Sequence, residues 1–305
     1  MAEQTFPAAE GSGQVTWDPD RGFLPPTSSE LVLAYPMPNA PAGWTDDLTE
    51  FHEEISGGQH PIDLASLALA AEAVGRHTPT EGRVLEIGCS GGHLIRRLRR
   101  ERPELRVEGA DIINQPLKRL ALKLREDGLA TPILQFDLTS CPLPDETYDA
   151  VVALNVLEHI EDHCRAVTEA ARILKPNGVF IFEVPAGSGL YDDYDRELLH
   201  YRRYDAPDLA ELLTGAGLAK VRLSHLGSFI YPAFWAVKSW RKKHPKSSSP
   251  DGGQVSEGNR KLITLSSGLV MKVVFSLELL LGRVINYPRG IRCFGVFKKP
   301  GGPSV

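Results

Sequence analysis

The stretch Val84-Leu85-Glu86-Ile87-Gly88-Cys89-Ser90-Gly91-Gly92-His93-Leu94 decides how this chain is read. A short apolar run ends near an acidic residue, and a glycine-rich turn then opens a helical pattern. Glycine has no Cβ, so backbone at such a turn can approach a ligand closely. The first N–H groups of the following helix have no intrahelical partner and favour an anionic group. The same segment would also serve as a plain tight turn between strand and helix. A dinucleotide fingerprint needs G-x-G-x-x-G. Counted from Gly88, its second and third glycines would fall on Ser90 and His93, which disfavours a nicotinamide oxidoreductase.

Outward from this turn, apolar runs and helical patterns alternate. Strand candidates are Arg83–Ile87, Val107–Ala110, Ile133–Phe136, Ala150–Leu154 and Val179–Val184. Helical patterns cover His93–Glu101, Pro116–Glu126 and Glu161–Leu174. A further helix over Pro207–Ala216, a strand over Lys220–His225 and a last strand over Ile291–Phe297 follow. Near-continuous apolar strands between helices predict a parallel sheet covered on both faces. Before the turn, residues 1–16 read as a flexible tail and the proline-rich residues 17–45 as an irregular strap. Residues 46–76 turn helical, with Ile62, Leu64, Leu67, Leu69, Ala71 and Val74 on an apolar face.

The 305 residues carry a net charge of −5, with 42% hydrophobic and 24% charged residues. This composition excludes collagen-like, coiled-coil and fully disordered chains, and offers no overall basic field for nucleic acid. Cys89, Cys141, Cys164 and Cys293 are far apart and form no C-x-x-C pair, so neither a zinc knuckle nor a disulfide scaffold is expected. MAEQTFPAAEGSG has no basic region followed by an apolar run, and a cytoplasmic setting is the expectation.

The strand–turn–helix resembles the E/D-x-G-x-G-x-G turn of class I S-adenosylmethionine-dependent methyltransferases, of the type 11/23-like bacterial small-molecule kind. Glu86, Gly88 and Gly92 match, and Ser90 stands in place of the middle glycine. The resemblance continues through GADI, FDLTSCPLPDETYDAVVALNVLEHIED and RILKPNGVFIFEVP, over about residues 81–185. It implies a Rossmann-like seven-stranded α/β sheet with an N-terminal strap and helix and an insertion before the last strand. It implies domain limits of 1–80 for tail, strap and lid helix, and 81–226 with 287–299 for the core. Segments 186–205 and 227–286 are then substrate-side insertions. It implies S-adenosyl-L-methionine as cofactor. Glu86, Gly88, Cys89, Ser90 and Gly92 would form the turn, with Glu86 serving the ammonium end. Asp111 would accept from the ribose hydroxyls with Ile112 beside it, Asp137 and Leu138 would hold the adenine, and Asn155 and Val156 would close the site. Any single one of these acidic residues would equally serve as a helix cap.

Methyl transfer to O–H or N–H needs alignment and a proton acceptor. The densest polar cluster is Tyr191-Asp192-Asp193-Tyr194-Asp195 with His200-Tyr201-Arg202-Arg203-Tyr204. Its HYRRY string resembles a subgroup of bacterial small-molecule and lipid-linked methyltransferases. His200 is the candidate base, with His159 the alternative. Tyr191, Tyr201, Arg202, Arg203 and Tyr204 are candidate acceptor contacts, the arginines for a carboxylate or phosphate. The competing reading makes Arg202 and Arg203 ion-pair partners of Asp192, Asp193 and Asp195. His159 and His163 form an i, i+4 pair without a third ligand at sensible spacing, so no metal is expected. His60 reads as an ordinary surface residue that would alternatively line the pocket.

The segment SFIYPAFWAVKSW with RKKHPK places Phe234 and Trp235 near cations, and Leu269, Val273, Leu277, Leu280, Leu281 and Val284 share a helical face. Four readings stay open: a helix packed on the core, a lid over the acceptor, a homodimer contact and a peripheral membrane contact. SSSPDGGQVSEGN between them reads as a mobile loop. Lys272, Glu278 and Arg283 argue against a spanning helix. The chain therefore reads as a methyltransferase for an apolar or lipid-like small molecule, acting on O, N or C, with no nucleic-acid partner. The alternative is a non-catalytic cofactor-binding protein at a membrane or partner.

Overall fold

The computed structural model describes residues 4–24, 31–37, 60–243 and 268–301. An eight-stranded sheet forms its centre. Strands β5 (Arg83–Ile87), β6 (Arg106–Asp111), β7 (Ile133–Gln135), β8 (Tyr148–Leu154) and β9 (Leu174–Pro185) run parallel. β10 (Ala219–Leu226) and β11 (Arg292–Lys298) complete one side, with β11 antiparallel to both β9 and β10. The strand order is β10-β11-β9-β8-β5-β6-β7-β4, where β4 is Val32–Ala34.

Alternation along each strand feeds two apolar layers. In β8, Val151 and Ala153 face one layer while Ala150 and Val152 face the other, and all four are fully buried. On the first face, Ala166, Val167 and Ala170 of α4 (His163–Ile173) pack beside Leu209 and Leu213 of α6 (Ala206–Gly215). On the second lie α1 (Pro61–His77), α2 (His93–Glu101) and α3 (Asn114–Glu126). α1 is rich in alanine and leucine, starts on Pro61, and carries Arg76 and His77 in its last turn, all favourable to a helix. His60 is its N-cap, accepting from the Ile62 N–H at 3.4 Å.

Three expectations for the N-terminal region need correction. The supposed tail contains β1 (Gln4–Pro7) and β2 (Gln14–Asp18), which form a three-stranded sheet with β3 (Gly22–Leu24). Phe6, Val15, Trp17 and Phe23 are buried against the first face, where they stand in for a covering helix. Part of the strap is also regular: Val32–Ala34 pairs parallel with β7. The sheet therefore has eight strands instead of seven. The proline content concealed this, because three residues with one parallel neighbour leave only a faint pattern.

The rest of the helical reading before Pro61 and the Ser/Gly-rich loop lie outside the described residues. After β10 come α7 (Tyr231–Lys243) and α8 (Leu269–Gly282). α8 packs on α1 through Phe275, which joins Ile62, Ala65 and Leu226. Glu278 turns inward and accepts from the Ser228 N–H at 2.9 Å.

Candidate active site

The turn after β5 sits at the carboxyl ends of the parallel strands, where open α/β sheets bind ligands. Gly88 and Gly92 both have φ of +70°, and Ser90 has φ of +41°. A Cβ on Gly88 would lie 2.4 Å from Val156 Cγ2, so both conformation and space require glycine there. The Gly88 and Cys89 N–H groups donate to the Ala110 carbonyl of β6 at 2.8 and 3.1 Å. Asp111, at the end of β6, accepts from the Ser90 N–H at 3.2 Å and the Ile112 N–H at 2.7 Å. The turn is thus tied to its neighbouring strand through one backbone carbonyl and one carboxylate.

Glu86 is buried, and its Oε2 has no hydrogen-bond partner among the described residues. Burial pushes its acid up to about 8, with the Asp111 charge adding to the shift and a backbone N–H at Ile95 opposing it. Burial also raises the Asp111 carboxyl, against its backbone hydrogen bonds. Two carboxyl groups, neither of them paired with a cation among the described residues, make a fitting receptor for an ammonium and for hydroxyl donors. The Cys89 thiol is buried and pushed up by that burial, so this residue contributes backbone rather than a nucleophile.

Asp137 Oδ1 accepts from the Thr139 N–H at 2.8 Å and caps a short helical turn, with Leu138 buried beside it. Asn155 has φ of +53° and its side-chain amide lies 3.3 Å from Glu183 Oε1. Glu183 is held by Ser66 at 2.7 Å and by Arg292 at 2.9 Å, and Arg292 also binds Asp63 at 2.7 Å. This buried network joins α1, β9 and β11 beneath the site. The sequence offered one signal for it, a glutamate inside the apolar run VFIFEVP.

On the acceptor side, Glu158 and His159 occupy the short turn after β8. His200 follows α5 (Asp193–Glu197), and its ring meets that of His159 edge-on at 4.6 Å. His200 Nδ1 lies 3.2 Å from Asp195 Oδ1. Asp195 also accepts from Arg203 at 2.8 Å and from Lys238 at 2.8 Å, and Lys238 reaches Asp192 at 2.6 Å. Burial pushes the Asp195 carboxyl up, but the His200 hydrogen bond and the Arg203 and Lys238 charges outweigh it and hold the group far below the usual range. Burial pushes the His200 ring down, so it is neutral near pH 7.

The remaining candidates divide. Arg203 is committed to Asp195 and to the Ala186 and Ile291 carbonyls, with its guanidinium 5.6 Å from the Phe234 ring. Arg202 donates to the Ile160 and Glu161 carbonyls, both at 2.9 Å, rather than to an aspartate. Asp193 pairs with Arg196. The sequence-based ion-pair scheme thus holds for Arg203 and not for Arg202, and Lys238 was absent from it. Tyr191 donates to the His200 carbonyl, Tyr204 is buried against Leu157, and Tyr201 and Trp235 are exposed. His163 meets the Tyr204 hydroxyl at 3.1 Å instead of pairing with His159.

Residues 85–182 match the family model described as a methyltransferase domain. Over these residues the chain is similar to a methyltransferase domain. It resembles a protein of Mycolicibacterium smegmatis named "Probable S-adenosylmethionine-dependent methyltransferase", at 31% identity over 48% of this chain and 61% of that protein. A ubiquinone biosynthesis O-methyltransferase of Alkalilimnicola ehrlichii is 34% identical over 40% of this chain and 49% of its own length. The chain therefore spans between about half and three-fifths of the length of these relatives. The crystal structure of the [4+2]-cyclase SpnF superposes with a TM-score of 0.57 at 21% identity, covering 87% of this chain and 98% of that one. A phosphoethanolamine N-methyltransferase 2 of Haemonchus contortus, in complex with S-adenosyl-L-methionine, gives 0.52 at 16% identity, covering 85% and 61%. These likenesses establish the methyltransferase domain's fold. No described helix is long and apolar enough to cross a membrane.

Proposed function

We propose that this protein binds S-adenosylmethionine and transfers its methyl group to an apolar or lipid-like small molecule, preferably at oxygen. The observation that carries the reading is the pair Glu86 and Asp111 at the ends of adjacent strands, one with an unpartnered buried oxygen. When bound, the cofactor supplies an electrophilic methyl: the acceptor's lone pair forms the new bond, the carbon–sulfur bond breaks, and sulfur keeps the electron pair. Glu86 attracts the ammonium, Asp111 takes the ribose hydroxyls, and Asp137 with Leu138 holds the adenine. The acceptor is presented at the cluster of Glu158, His159 and His200, with Tyr201 and Trp235 toward its entrance. The relatives named as ubiquinone biosynthesis O-methyltransferases support oxygen as the acceptor atom.

Asp111→Ala tests the cofactor part. Losing one buried hydrogen-bond partner costs about 1–3 kcal/mol, so adenosylmethionine should bind roughly ten- to a hundred-fold more weakly. Calorimetric titration of both proteins measures this, and equal affinities would overturn the assignment.

The apolar acceptor is supported by the outer side of α8. Leu269 is 77% exposed, and Val273, Leu277, Leu280 and Leu281 are also exposed. They form a ridge that Lys272 and Arg283 flank, and Trp235 and Trp240 of α7 add exposed aromatics. Contiguous exposed apolar surface with flanking cations fits an anionic lipid surface. In the proposed arrangement the protein collects its acceptor there. Val273→Ser and Leu277→Ser should each weaken binding to vesicles containing phosphatidylserine by about tenfold, as loss of a buried aliphatic side chain implies. Co-sedimentation measures it. Absence of vesicle binding, with a dimer that these substitutions dissolve, would assign the ridge to self-association instead.

A further inference from the structure

We propose that Glu158, His159 and His200 bind a divalent first-row transition cation, on which an oxygen of the acceptor is held. The acceptor part rests on the methyltransferase reading; the cation part stands on geometry alone. One ligand atom from each of the three residues lies within 4.8 Å of the others, although His200 is distant in sequence. Glu158 is fully buried, and neither of its carboxyl oxygens has a hydrogen-bond partner among the described residues. A carboxylate in that position is costly unless a cation meets it.

The surroundings prepare the imidazole of His200. Asp195 is held ionised by Arg203 and Lys238, so the 3.2 Å contact fixes the hydrogen on Nδ1 of His200. Its Nε2 then carries the lone pair, the arrangement in which a carboxylate orients a metal-binding histidine from behind. Both backbones are also pinned. The Tyr201 N–H donates to the Glu158 carbonyl at 2.8 Å, and the Tyr191 hydroxyl donates to the His200 carbonyl at 2.7 Å. Two imidazole nitrogens and one carboxylate oxygen suit Zn²⁺, Fe²⁺ or Co²⁺ far better than Mg²⁺ or Ca²⁺. Three protein ligands leave at least one position on a four-coordinate ion, and a hydroxyl bound there is more acidic than a free one. The cluster follows β8, beyond the carboxyl end of the strand, where the acceptor must lie.

The test uses the full chain, stripped with a chelator and dialysed. Zn²⁺ alone is titrated calorimetrically, and Co²⁺ alone is followed by visible absorption. One ion per chain and a cobalt ligand-field band are expected. Glu158→Gln keeps the shape of the side chain, and His159→Ala is a second, independent variant. Each should weaken Zn²⁺ binding by about a hundred-fold or more, since even outer residues typically contribute 10–100-fold. Asp111→Ala should lose cofactor affinity and keep its zinc. Absence of saturable uptake would overturn the proposal. So would unchanged zinc affinity in Glu158→Gln with a raised melting temperature, which would make Glu158 a buried neutral acid. Zinc binding that needs these residues, in a protein with no affinity for adenosylmethionine, would keep the cation site and refute its link to methyl transfer.

Discussion

Asp195→Ala is expected to lower the stability of the folded chain by about 3–5 kcal/mol, the cost of breaking a buried charge group by removing one partner. Arg203 and Lys238 are both buried, and both donate to this carboxylate. Without it, Lys238 keeps Asp192 and Arg203 keeps only carbonyls. The melting temperature should fall by on the order of 10 °C. The dependence on pH has a definite sign. The folded carboxyl lies far below the ordinary value of about 3.9, so its stabilisation is complete above that value and fades as pH falls below it. The deficit of the variant should accordingly narrow below about pH 4. Denaturant titrations at neutral and acid pH measure both effects. A deficit under about 1 kcal/mol at neutral pH, the range of an exposed ion pair, would contradict the role given to this group.

His200→Ala should act on turnover instead. Asp195 retains Arg203 and Lys238 after the substitution, so the fold should survive with a modest loss of melting temperature. Transfer of label from adenosylmethionine into an apolar cell extract should fall by about 10²–10⁴, the range for losing a group that handles the acceptor's proton, whether directly or by holding the cation that acidifies the acceptor. Affinity for the cofactor should stay as it is, because the turn after β5 and Asp111 are untouched. A variant that transfers label at the original rate would remove His200 from the chemistry. One that melts as low as Asp195→Ala would make it a structural member of the charge group.

The sheet was legible because its central strands are nearly pure apolar runs. Val151, Val152 and Ala153 are buried on both faces, and the sequence VVAL says so directly. The turn at Gly88 was legible because glycine is a local requirement. β1 and β2 were not, since Phe6, Val15 and Trp17 stand apart among small residues and acquire meaning only once they meet Phe23. The grouping of His159 with His200 was equally hidden. Nothing in the local pattern of LEHIED or HYRRY states that the two strings meet, because the pairing is made by tertiary contacts such as that from Tyr201 to Glu158. α8 shows a different limit. Its periodicity revealed an apolar face, but Phe275 and Glu278, not that face, turn toward the core. A helical pattern gives the relative orientation of residues and leaves open which side meets the protein.

The placement of β11 has a consequence for synthesis on the ribosome. It lies inside the sheet, between β9 and β10, yet among these strands it emerges last. Until then β9 offers a bare apolar edge, VFIFEV, able to pair with another nascent chain. Glu183 likewise waits for the guanidinium of Arg292. At about 5–20 residues per second, the hundred or so residues after β9 keep that edge open for roughly 5–20 s. The long segment carrying α7 and α8 thus lengthens the interval in which the nascent protein needs a chaperone.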